Sequence, residues 1–123
     1  MVEIIENFTT IGGIYFKGGI VLKIIVYGST RDRAYNKLQD LLDNMKYGEV
    51  NRVNKNSFNF TVELKNGDLY IALLAFEGAK GHKWDYAYID HRIDKEIVNN
   101  IILPGCLHSN YGEKLEEHYQ IYL

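Results

Sequence analysis

The sequence predicts an α/β or α+β domain: a mixed sheet of five to six strands with two helices, in the order β-β-α-β-β-β-α-(β). Three observations carry this. Ile20–Tyr27 is a nearly continuous apolar run, the pattern of a strand buried on both faces. The segment after it switches to a helical period. Residues 57–64 switch again, to strict alternation, and lead through an Asn-Gly pair into a second apolar run.

Taken in order, the chain opens with "IGGIYFKGGIVLKIIVYGST". Two apolar, β-branched runs flank Lys17-Gly18-Gly19, which reads as a hairpin. In "STRDRAYNKLQDLLDNMKYG", Ala34, Leu38, Leu41, Leu42 and Met45 fall on one helical face. Ser29 is the expected N-cap, with Asp32 in the capping-box position and Gly48 as the stop. In "SFNFTVELKNGDLYIALLAF", a two-residue Asn66-Gly67 turn would pair Leu64 with Leu69, Val62 with Ile71 and Phe60 with Leu73. Phe58, Phe60, Val62, Leu64, Ile71 and Leu73 would then share the buried face. Tyr86–Asp90 is a short strand. Ile93, Ile97 and Ile101 predict a helix ending near Pro104. Tyr119, Ile121 and Leu123 alternate with Gln120 and Tyr122, which favours a last strand.

The chain has 123 residues, enough for one domain (1–123) with a single core. A formal charge of -2 excludes a global basic field of the kind that binds nucleic acid non-specifically. No apolar run is long enough to span a bilayer, so no membrane role is expected. Glu3 and Glu6 occupy the positions where a signal peptide would be basic and then apolar. One cysteine, Cys106, excludes an internal disulfide and points to a reducing, cytoplasmic compartment. Ten tyrosines, with the apolar first hairpin and the apolar last strand, leave more sheet edge than one small domain covers, so a homo-oligomer, most simply a dimer, is expected.

Two stretches carry candidate chemistry. In "IIVYGSTRDR", a buried strand runs through Gly28, Ser29 and Thr30 into a helix whose first turn holds Arg31 and Arg33. Free amides, hydroxyls and guanidinium groups there form a candidate anion cradle. A capped helix with a solvated first turn is the plain alternative. In "GAKGHKWDYAYIDH" a basic, aromatic loop leads into the Tyr86–Asp90 strand. Trp84 or a nearby tyrosine would stack on a base or adenine ring while Lys80, Lys83 and Arg92 meet phosphate or carboxylate, with His82 beside them. The plain alternative has Trp84 and Tyr86 closing the core edge. Of the possible metal ligands His82, His91, Cys106 and His108, only Cys106-x-His108 is closely spaced, and no second pair completes it. No metal or cofactor is expected, and nothing marks Cys106 as a nucleophile.

The second stretch resembles the segment of phage terminase large subunits and related P-loop ATPases that runs from a glycine-containing basic loop into the Walker B strand. The likeness covers roughly residues 20–105, including the "KNGD" hairpin before the loop and "IILPG" after the strand. It implies a P-loop-like fold, a phage origin, and Asp90 as the Walker B aspartate. The departures are large. No GK[ST] occurs, and His91 stands where a glutamate would polarise water. The resemblance therefore implies a truncated, catalytically silent relative.

These residues support three functional readings. The first is a non-enzymatic protein that binds a nucleotide, a nucleotide-derived signal or another anionic ligand. Its site would join Gly28–Arg33 to the 78–92 region, with Gly28 and Asp90 at one sheet edge. The second is a protein-interaction module, such as an inhibitor of a host defence enzyme or an assembly factor. The third is a residual P-loop-like hydrolase. At the shared edge Asp90 is expected to pair with Arg31 or Arg33.

Overall fold

The computed structural model describes residues 8–11, 14–17, 21–76, 81–108 and 114–123. Among these residues the strands and α-helices are, in order, β1 (Phe8–Ile11), β2 (Ile14–Lys17), β3 (Lys23–Gly28), α1 (Arg31–Asp43), β4 (Val50–Lys55), β5 (Phe60–Leu64), β6 (Leu69–Leu74), β7 (Tyr86–Asp90), α2 (Lys95–Ile97) and β8 (Tyr119–Tyr122). A six-stranded sheet has the order β4-β5-β6-β3-β7-β8, and β1-β2 is a separate pair. Strands β6, β3, β7 and β8 run parallel, while β5 is antiparallel to both of its neighbours. This is a mixed-sheet fold with two helices, as the patterning predicts. None of the described helices is long and apolar enough to cross a membrane.

Strand β3 explains its own composition. It lies between β6 and β7, and its side chains alternate between two apolar layers. Val26 meets Ala34 and Leu38 of α1 on one face. Ile25 and Tyr27 meet Ile93, Ile102 and Cys106 on the other. A strand covered on both sides has no polar face to alternate with.

The first hairpin differs from its prediction. Strand β2 pairs with β1, with Phe8 opposite Lys17, so β3 is not its partner. Gly18 and Gly19 lie outside the described residues. Helix α1 is capped by Thr30, whose hydroxyl accepts from the amide of Arg33, and not by Ser29. It ends at Asn44 rather than Gly48, which sits in a 3-10 turn at Tyr47–Glu49. Strand β4 is unexpected from the sequence, because "VNRVNK" is polar on both sides; it is an edge strand with five exposed residues.

The central hairpin is shifted by one residue. Thr61 opposes Ile71, Val62 opposes Tyr70, and Glu63 opposes Leu69. The turn is the cause. Gly67 adopts φ 98 and its amide bonds to Leu64 O at 2.9 Å, while Leu64 N bonds to Asp68 O at 2.8 Å. This is a three-residue loop with glycine in the left-handed position, not a two-residue one. Phe60 and Val62 are fully buried as expected, but they share their layer with Tyr70 and Ala72. Leu73 packs in the opposite layer, and Phe58 is 79% exposed. The shift is tolerated because β6 is apolar on both faces.

The helical segment after β7 begins as α2 and runs on through a π-turn (Val98–Ile102) and a 3-10 turn (Leu103–Gly105). The wider π-turn moves the buried position from Ile101 to Ile102, which has no exposed surface. Strand β8 forms as expected, though Tyr122 is its buried residue and Ile121 is half exposed.

Candidate functional site

Strands β3 and β7 lie side by side and parallel, so Gly28 and Asp90 reach the same carboxyl edge of the sheet. The chain then leaves them in opposite directions. From β3 it passes into α1 on one face, and from β7 into α2 on the other. Adjacent parallel strands that diverge in this way form a topological switch point, where α/β proteins bind ligands.

Here the switch point is closed by the protein's own side chains. The Asp90 carboxylate is fully buried and accepts five hydrogen bonds. Oδ2 takes Ser29 N at 2.8 Å, Ser29 Oγ at 2.6 Å and Arg33 Nε at 2.7 Å. Oδ1 takes Arg33 Nη2 at 2.9 Å and Arg92 N at 3.0 Å. Burial alone would raise the carboxyl pKa. The donors from Arg33, Ser29 and Arg92 outweigh it and hold the group well below the usual carboxylate range. The Arg33 pKa is correspondingly raised by its hydrogen bond to Asp90. A carboxylate offers about four lone-pair positions. With five donors upon it, Asp90 has none left for a metal ion or a reacting water.

Gly28 serves the same closure. A Cβ there would run into the Ala34 amide nitrogen and the Thr30 carbonyl, so glycine lets α1 pack directly on the strand end. That space is filled by protein and offers no backbone to a ligand. Arg31 is exposed and donates from Nη1 to Ser57 O at 3.2 Å. Thr30 and Arg92 are exposed too, and Ser29 is half-buried.

The loop before β7 goes elsewhere. His82, Lys83 and Trp84 precede the strand and therefore lie at its amino end, across the sheet from Asp90. Trp84 has no exposed surface. Its Nε1 donates to Ile102 O at 3.0 Å, and its backbone exchanges bonds with Gly105 and Leu107. It plugs the core edge, as in the plain alternative, and presents no face to a base. Lys83 is exposed, and His82 lines a shallow pocket of about 220 Å³ with Pro104 and Gly105. Lys80 lies outside the described residues. The structure therefore brings Gly28, Ser29, Thr30, Arg31, Arg33, Asp90 and Arg92 together, and separates His82, Lys83 and Trp84 from them.

Sequence reasoning misses the other occupants of the carboxyl edge. The turn between β4 and β5 returns to this edge and carries Phe58, 79% exposed, while Phe76 follows β6 there and is 51% exposed. The Phe58 turn is tightly held. Asn56 Oδ1 accepts from Phe58 N at 2.8 Å and Asn59 N at 2.9 Å. Tyr35 of α1 donates to Asn56 O at 2.8 Å, and Arg31 holds Ser57. The one signal for it in the sequence is "NKNSFN", an Asx-turn composition around an aromatic.

No protein-family model, curated protein or solved structure matches the chain.

Proposed function

We propose that this protein is an interaction module that docks a protein partner on the carboxyl edge of its sheet, with Phe58 and Phe76 as apolar anchors and Arg31 and Arg92 beside them. The observation that carries this reading is Phe58. A large apolar ring stands 79% exposed on a turn that four hydrogen bonds hold in place. Holding such a ring in water is unfavourable unless something covers it. Aromatic and arginine side chains on a rigid frame are the usual anchors of protein interfaces, because little entropy is lost when they dock. With the phage origin that the terminase resemblance implies, the partner class is a host enzyme or a component of phage assembly.

Two features argue against a small anionic ligand as the principal partner. The strongest cation at the switch point, Arg33, is committed to Asp90. The exposed Arg31 and Arg92 are offset by exposed Asp32, Asp94 and Glu96. The ligand reading keeps one point in its favour: both exposed arginines leave from the switch point. A residual hydrolase is disfavoured because Asp90 has no acceptor position to offer magnesium.

The test pairs two measurements. Tagged wild type and the Phe58→Ser/Phe76→Ser double variant are expressed in the native host, and co-purifying proteins are quantified. Wild type is expected to retain a stoichiometric partner that the variant loses, at equal thermal stability. A partner held equally by both would sink the docking site. Calorimetry against mono-, di- and cyclic nucleotides at tens of micromolar protein should give no heat; a saturable signal would restore the ligand reading.

A further inference from the structure

The two outer edges of the six-stranded sheet are built differently. At one edge, β4 carries Arg52 and Lys55 and is irregular between Val50 and Arg52. Charges and bulges are the devices that prevent edge strands from pairing with another chain. At the other edge, β8 reads Tyr-Gln-Ile-Tyr and continues into Leu123, with no charge and no break in its pairing with β7.

The backbone of β8 shows which groups face out. Ala87 N bonds to His118 O, and His91 N bonds to Tyr122 O. In a parallel pair alternate residues face the neighbour. The even-numbered residues therefore face β7, and the amide and carbonyl groups of Tyr119, Ile121 and Leu123 point away from the sheet. Among the described residues no strand pairs with them. The same three side chains form an apolar row on the α2 face. Ile121 is 50% exposed and Leu123 is 91% exposed.

We infer that β8 pairs antiparallel with β8 of a second copy about a two-fold axis through Ile121, joining two six-stranded sheets into one. The occupant is a second copy because the strand complements itself. In this register Ile121 meets the partner's Ile121, Tyr119 meets the partner's Leu123, and Gln120 meets the partner's Tyr122. No charge is placed against a like charge. The outward-facing residues are the ones that become hydrogen-bonded pairs, so every exposed edge group of the strand gains a partner. Two apolar rows of three merge on the α2 face, and the contact is isologous, so it closes at two copies. A short strand pair buries less than a standard interface, so the dimer dissociates on dilution. This surface is separate from the carboxyl edge and does not depend on the docking role of Phe58.

Sedimentation equilibrium of the full chain from low to high micromolar concentration tests this. The mass is expected to rise from 14.3 kDa toward twice that value. Ile121→Lys, which places two ammonium groups at the axis, should remain monomeric throughout with an unchanged circular dichroism spectrum. Ile121→Cys provides a second readout. Paired residues at the axis sit about 5.5 Å apart between Cα atoms, within disulfide reach, so oxidation should give a covalent dimer. Val53→Cys on the β4 edge should not. A wild type that stays monomeric, a dimer that survives Ile121→Lys, or equal cross-linking from both edges would each overturn the inference.

Discussion

Replacing Asp90 with asparagine tests the closure of the switch point most directly. The carboxylate takes three donors on Oδ2 and two on Oδ1, and its side chain has no exposed surface. An amide offers one acceptor oxygen, and its NH₂ must then face donors on the other side. Either orientation leaves at least two donors without an acceptor. A hydrogen bond to a charged group contributes about 1.5–3 kcal/mol. The Arg33 guanidinium keeps contact with solvent, at 24% exposed, so it is given no share of the loss. With the amide oxygen in the Oδ2 position both Ser29 donors stay paired, and the Arg92 amide left facing the NH₂ accounts for a loss of about 1.5–3 kcal/mol. Urea unfolding followed by circular dichroism measures this, with the slope expected to stay constant while the midpoint falls. A loss below about 1 kcal/mol would mean that the carboxylate is not the keystone of the edge.

The pH dependence has a definite sign. A carboxyl whose folded pKa lies below its unfolded value contributes its full stability above the unfolded value, near pH 4, and loses it as pH falls toward the folded value. Asp90 is such a group. The gap between wild type and Asp90→Asn should therefore be constant at neutral pH and narrow progressively below about pH 4. An undiminished gap near pH 2 would contradict the assignment.

Three further substitutions probe the frame. Phe60→Ala removes a ring with no exposed surface that meets Tyr35 edge-to-face at 5.3 Å; it should cost about 3–5 kcal/mol in urea melts, and a loss under about 1 kcal/mol would mean that face is not core. Gly28→Ala drives a methyl group into the backbone of α1 and should cost about 2–3 kcal/mol; an unperturbed melt would mean the helix is not seated on the strand end. Gly67→Ala forces a side chain into φ 98 and should cost about 1 kcal/mol in the same melts; an unchanged midpoint would mean that Gly67 does not hold the left-handed position of the loop.

Much of the frame is legible in the sequence because it rests on local pattern. The apolar runs of β3 and β7, the face of α1 and the Asn-Gly hairpin all signal within a few residues. The parallel pairing of β3 with β7 is also readable, since both are short apolar strands that each run into a helix. Other features depend on contacts remote in sequence. The cap moves from Ser29 to Thr30 because the Ser29 hydroxyl is committed to Asp90, 61 residues away. The hairpin register depends on whether glycine alone, or asparagine and glycine together, adopt positive φ. With β6 apolar on both faces, burial does not decide between them. Strand β4 has only Val50 and Val53 as apolar residues, three apart and so out of strand period, because it is recruited as an edge by β5 alone.

The misplaced half of the candidate site has a simpler cause. "GAKGHKWDYAYIDH" looks like one place in the sequence, yet it contains a strand. Five residues of strand extend about 16 Å, so the residues before β7 and those after it must lie at opposite edges of the sheet. Chain order alone requires this. The stretch performs two separate tasks. At the amino end Trp84 plugs the core against Ile102 and Gly105. At the carboxyl end Asp90 ties β7 to α1 through Ser29 and Arg33. Both tasks consume the groups that resemble ligand binders. The buried, saturated residues of the carboxyl edge act as its scaffold, and the side chains left exposed at that edge lie outside it, Phe58 foremost among them.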